Sequence, residues 1–234
     1  MYGLGKVKTF LLIVVVGLVG LAAAAYLRPL PAVKPTVLVA GFPAPESAQL
    51  PWPAYGQSAV GAVGYGLLAA KGEQKPAPIA SITKVVTALA ILERRPLAAG
   101  QKGPELVLGQ RDVQFFEDYF ARGGSVVKVQ NGERLTQYEA LQALLLPSGN
   151  NIADTLAVWA FGSVENYVQY ANQMLLELGL KNTKVADASG FSPGSISTAA
   201  DLVELGERAL LDPTIAEIVG QQKAVLPVAG EVSN

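Results

Sequence analysis

Two short patterns in this chain carry side chains able to do nucleophilic chemistry. Ser81-Ile82-Thr83-Lys84 sets a hydroxyl three residues before an amine. On a helix, positions i and i+3 share a face, so the two groups can meet. The surrounding run, ITKVVTALAIL (82–92), is apolar nearly all round and reads as a buried helix. Lysine is almost never fully buried without a reason. Burial disfavours the charged amine and lowers its pKa, which is what a lysine base beside a serine requires. Ser81 falls at the helix start, where free N–H groups favour a developing negative charge. A purely structural alternative stands beside this: Ser81 caps the helix and Lys84 snorkels to solvent. The second pattern is Ser148-Gly149-Asn150, just after Pro147. It reads either as a held hydroxyl and amide facing a cleft or as a plain interhelix turn. Another S-x-x-K, Ser125 to Lys128, lies in SVVKVQ (125–130), which reads as a strand closed by Asn131-Gly132. There i and i+3 point to opposite faces, so these two residues cannot cooperate.

Composition narrows the chemistry further. The chain has no Cys and no His in 234 residues. That excludes cysteine nucleophiles, Ser-His-Asp triads, disulfides and zinc sites built on Cys or His. A serine nucleophile must therefore take its base from Lys, Asp, Glu or Tyr. The 18 basic and 19 acidic residues nearly cancel, which argues against nucleic-acid binding.

The elements that must position these groups are legible in outline. Residues 58–70 suggest one or two Gly-containing strands. Thr136 with Glu139 forms a capping box ahead of Leu141, Leu144 and Leu145, and Pro147 stops that helix. A helix from about Asn151 to Ala160 follows, then one from Val164 to Leu178. Thr198 and Asp201 cap another, carrying Leu202, Leu205 and Leu210. Strands followed by a run of helices point to an α+β domain.

Residues 9–27 carry no charge, follow Lys6 and Lys8, and precede Arg28. The apolar run from Phe10 to Leu27 spans about 27 Å as a helix, close to a bilayer core. Residues 1–28 therefore read as a membrane anchor or a signal segment, with Ala22 to Ala25 as a small-residue cleavage site in the second case. Either places the rest outside the cytoplasm, in agreement with the positive-inside rule. Residues 29–54 are proline-rich and read as an extended linker. Residues 55–234 form the remaining domain.

The stretches PIASITKVVTALAIL (78–92), LLLPSGNNIADTLA (144–157) and GLKNTKVADASGFSPGSISTAADLVEL (179–205) together resemble the serine D-alanyl-D-alanine carboxypeptidases. These are low-molecular-mass penicillin-binding proteins that share their fold with serine β-lactamases, and their motifs are S-x-x-K, S-x-N and K-T-G. The resemblance implies a transpeptidase fold with an antiparallel sheet and a helical region. It implies that Ser81 attacks the penultimate D-alanine carbonyl of a peptidoglycan stem peptide. Lys84 would take the Ser81 proton, Ser148 would relay it to the leaving D-alanine, and Asn150 would bind the substrate amide. β-Lactam antibiotics would be covalent inhibitors, and no metal or organic cofactor is implied. No K-T-G occurs in the domain, so the resemblance also implies that the closing C-terminal strands are missing and the catalytic domain is incomplete, with impaired activity. Two other readings stand beside this one. One is a catalytically inactive cell-wall-binding module. The other is a serine β-lactamase, which would need an E-x-x-L-N; the nearest match, Glu177 to Asn182, has one residue too many.

Overall fold

The computed structural model describes residues 3–27 and 50–234, which fall into two units, 1–50 and 51–234. In the first unit, α1 (Gly3–Tyr26) is a single helix. Its residues from Phe10 to Leu21 are apolar and mostly exposed. Among the described residues, no helix is long and apolar enough to cross a membrane. Of the expected linker 29–54, residues 29–49 lie outside the described residues.

The second unit opens with a hairpin, β1 (Ser58–Ala62) and β2 (Gly66–Lys71), antiparallel with a bulge between Val60 and Gly61. Strand β3 (Ala77–Pro78) and a 3-10 turn, Ala80–Ile82, lead into α2 (Thr83–Arg94). Strand β4 (Glu105–Val107) precedes α3 (Gln110–Ala121) and pairs with β5 (Arg134–Thr136). Three helices follow: α4 (Gln137–Leu145), α5 (Asn150–Phe161) and α6 (Val164–Glu177). Strand β6 (Ile196–Ser197) pairs back to β3. The chain then forms α7 (Ala199–Leu211), α8 (Pro213–Val219) and a last hairpin, β7 (Lys223–Leu226) with β8 (Gly230–Ser233).

Helix α2 is the axis of the domain. It contacts α4, α5, α6 and α7, and Val86, Ala88, Ala90 and Ile91 are fully buried. Three of these neighbours, α4, α6 and α7, start where the sequence supplies a side-chain cap. Thr136 accepts from Glu139 N while Glu139 reaches back to Thr136 N; Ser163 accepts from Asn166 N and Thr198 from Asp201 N at the starts of α6 and α7. The β1–β2 hairpin rests on α7. Glu207 accepts from Gly64 N and Glu204 from Leu67 N, so two carboxylates hold its turn and second strand. A Cβ at Gly61 would lie 2.2 Å from Val203 Cγ1, so a side chain there would push the hairpin off the helix.

One expected strand is absent. SVVKVQ (125–130) is extended but joins no sheet. Its central backbone groups pair with a side chain instead: Val127 N donates to Asn151 Oδ1 at 3.0 Å and Asn151 Nδ2 donates to Val127 O at 2.9 Å. One asparagine supplies both bonds that a neighbouring strand would have made. Lys128 is exposed, so this S-x-x-K builds no site.

Candidate active site

Ser81 lies in the 3-10 turn, two residues before the start of α2, and its side chain is exposed. Lys84 sits in the first turn of α2 and is 2% exposed. Its Nζ donates to Ser81 Oγ at 3.1 Å and to the Ser189 carbonyl at 2.9 Å. The amine therefore does not snorkel to solvent. Burial lowers its pKa to about 8, against partial opposition from the Asp187 and Asp154 carboxylates. About one molecule in ten then holds a neutral lysine at pH 7. A hydroxyl within hydrogen-bond reach of such an amine can be deprotonated as it attacks a carbonyl.

The turn before the helix is bent to place that hydroxyl. Ala80 has φ 46°, left-handed for a residue with a Cβ. Such strain persists only where the surroundings fix it. Here the fixing neighbour is Gly190, which approaches the Ala80 carbonyl so closely that no Cβ fits between them.

A cleft of about 240 Å³ opens beside Ser81, lined by Gly123, Gly124, Ser125, Asn150 and Phe191 among others. Asn150 is the first residue of α5, and its backbone N–H donates to Ser125 O at 2.8 Å. A Cβ at Gly124 would lie 2.7 Å from Asn150 Nδ2, so a side chain there would displace the Asn150 amide. The Arg122 guanidinium stacks over the Phe191 ring at 4.3 Å.

Ser148 lies between α4 and α5 at φ 59°. Its Oγ is buried with no hydrogen-bond partner, and it is not among the residues that line the cleft. A buried hydroxyl left unpaired costs about 1–3 kcal/mol. Ser148→Ala should therefore leave the melting temperature unchanged or slightly raised, while lowering acylation of Ser81 about 10–100-fold if the hydroxyl relays a proton. Acylation equal to the parent would remove Ser148 from the site.

Sequence reasoning missed the loop that completes the site. Asp187 accepts from Gly190 N, Ser192 N, Ser189 Oγ and Ser195 Oγ, and so folds residues 187–195. That loop presents the Ser189 carbonyl to Lys84. A backbone carbonyl has no side-chain signature, and the one available hint was the turn-forming Asp-x-Ser-Gly at 187–190.

Residues 61–229 match the family description D-alanyl-D-alanine carboxypeptidase. The chain belongs to that family. Among curated relatives, it is 32% identical over 142 residues to the D-alanyl-D-alanine carboxypeptidase DacF of Bacillus subtilis, covering 60% of this chain and 35% of the relative. It is 32% identical over 164 residues to DacB2 of Mycobacterium tuberculosis, covering 69% and 52%. The chain thus spans between about a third and a half of the length of these relatives. Among solved structures, a D-alanyl-D-alanine carboxypeptidase from Mycobacterium tuberculosis H37Rv superposes with TM-score 0.61 at 30% identity, over 75% of this chain and 62% of that one. Penicillin-binding protein 6B from Escherichia coli gives TM-score 0.68 at 22% identity, over 81% and 60%, a likeness of fold. The α+β fold is that of the penicillin-binding proteins.

Proposed function

We propose that this chain is a serine-type D-alanyl-D-alanine carboxypeptidase acting on peptidoglycan stem peptides. The observation that carries the reading is the 3.1 Å hydrogen bond from a buried, low-pKa Lys84 to the exposed Ser81 hydroxyl. Family membership adds the substrate class. Lys84 takes the proton as Ser81 Oγ bonds to the carbonyl carbon of the penultimate D-alanine. The Ser81 N–H, near the start of α2, offers one donor to the oxyanion. Asn150 holds the substrate amide in the cleft, and Ser148 relays the proton to the departing D-alanine. Water then releases the acyl-enzyme, while a β-lactam stays attached.

A β-lactamase needs a carboxylate beside the acyl-serine to direct water. Glu177, the nearest sequence match, is exposed at the end of α6 and accepts from Gln173 instead. The apolar run 9–27 supports an anchor or a signal segment and an extracytoplasmic place in the bacterial envelope.

The test is direct. The chain is incubated with a fluorescent penicillin and the adduct is located by peptide mass spectrometry. Attachment at Ser81, with D-alanine release from a peptide ending in D-Ala-D-Ala, is expected. An adduct elsewhere overturns the assignment of the nucleophile. Reversible peptide binding without any adduct would make the chain a cell-wall-binding module.

A further inference from the structure

Asp154 stands one helical turn after Asn150 on α5 and is 9% exposed. Its Oδ2 accepts from the Tyr119 hydroxyl at 2.9 Å, and its Oδ1 is buried with no partner. The Tyr119 hydroxyl lies 3.3 Å from Ser189 Oγ. Ser189 in turn offers its carbonyl to Lys84 Nζ. Ser189 thus stands between the Asp154–Tyr119 pair and Lys84, meeting the phenol with its hydroxyl and the amine with its backbone carbonyl.

The other groups facing Asp154 leave it distinct. From the 187–195 loop comes Asp187, which raises the Lys84 pKa more than Asp154 does but whose charge already receives four donors. From α3, Asp112 is turned to Thr155 Oγ1 at 2.8 Å. From α6, the Tyr167 hydroxyl pairs with Thr87. Beyond α3, Arg122 is exposed and stacked on Phe191. Lys84 is the buried cation of this cluster, and Asp154 is the carboxylate in it with a spare oxygen.

We propose that Asp154 is a positioning residue that serves as a second counter-charge for Lys84 beside Asp187, stabilising the ammonium formed when Lys84 accepts the Ser81 proton. The inference rests on the reading of Ser81 as nucleophile and Lys84 as base. In that step the Ser81 O–H bond breaks as the Oγ–carbon bond forms. The proton stays on Nζ until it passes to the leaving amine. Meanwhile a full charge sits on a buried amine whose fixed protein acceptor is one neutral carbonyl. An ionised Asp154 lowers the cost of that charge. Burial lifts Asp154 to about 6, opposed first by the Tyr119 hydrogen bond. It is therefore mostly ionised at pH 7, where the ammonium must form.

The experiment follows the Lys84 ¹³Cε resonance against pH in the full chain in detergent, labelled at lysine and assigned by its loss in Lys84→Arg. In Asp154→Asn the Lys84 midpoint should fall by about 0.5–1 pH unit, and the acid limb of penicillin acylation should move with it. An unchanged or raised midpoint overturns the proposal. The parent protein gives a second reading that needs no folded variant. Its Lys84 resonance should show a separate inflection near pH 6 as Asp154 ionises, and the absence of that inflection also overturns the proposal. If the parent is never acylated yet Lys84 shifts as stated, the enzymatic reading fails and the counter-charge stands.

Discussion

Lys84→Ala should slow acylation of Ser81 by penicillin about 10³-fold, the usual worth of a positioned general base. Lys84→Arg should do the same, because a guanidinium stays protonated and cannot accept the Ser81 proton. Both variants keep a hydroxyl at the cleft, so reversible binding of a stem peptide should change far less than acylation. The parent should show a matching pH profile. Its neutral amine fraction grows with pH, so acylation should rise nearly tenfold per unit below about 8 and level off above it. The lysine variants should lose that limb. The same shift reaches stability. Between about 8 and 10.5 the unfolded chain holds a proton that the folded chain has released, so unfolding free energy should rise with pH across that window. The charged Lys84 at pH 7 therefore costs the fold roughly 3 kcal/mol. Stopped-flow acylation and urea unfolding at several pH values check both statements. Acylation of Lys84→Ala within threefold of the parent would remove Lys84 from the role of base.

What was legible in the sequence was whatever is local. Thr136 and Glu139 announced the start of α4, and Pro147 its end, because capping and proline effects act within one turn. Ser81 and Lys84 were legible for the same reason: three residues on a helix fix their separation. What depended on distant partners was not. Alternating Val126, Lys128 and Val127, Val129 looked like a strand, yet the side chain of Asn151 took the strand's backbone bonds. Helix α3 has no counterpart in the sequence reading, although the Asp112 carboxylate accepts from Gly109 N at its start. Its Tyr119 is buried while Phe120 is exposed, so the apolar stripe is blurred. The β7–β8 hairpin has no counterpart in the sequence reading, because its four-residue strands are too short for alternation to mark them. At the site, the Ser189 carbonyl meets Lys84, Phe191 lines the cleft beside Ser81, and Asp154 lies behind Tyr119, all through the tertiary fold. Their types and spacing gave no reason to group them.

Gly190→Ala should damage both the fold and the site, more than any other glycine replacement near the cleft. Gly190 has φ +75°, which an alanine adopts at a cost of about 1–2 kcal/mol. The added Cβ would also lie 1.8 Å from Ala80 O, 2.4 Å from Ala80 C and 2.7 Å from Thr83 Oγ1. Two of those atoms are backbone, so no side-chain rotation relieves the clash. Either the turn carrying Ser81 or the loop carrying Ser189 must retreat, and overpacking of this kind costs about 1–3 kcal/mol more. The two segments are the ones that bring Ser81 Oγ and the Ser189 carbonyl to the same Lys84 amine. A displacement near 1 Å at a reacting group can cost about 10²-fold in rate. Acylation should therefore fall by about that factor in protein still folded at the assay temperature, and the urea midpoint should fall as well. Gly179→Ala separates the two causes. Gly179 has φ +81° after α6, but a Cβ there meets nothing within 4 Å. It should show the backbone cost alone, with acylation unchanged. If Gly190→Ala proves no worse than Gly179→Ala in either measurement, the close approach of Gly190 to Ala80 is not what holds Ser81 against Lys84.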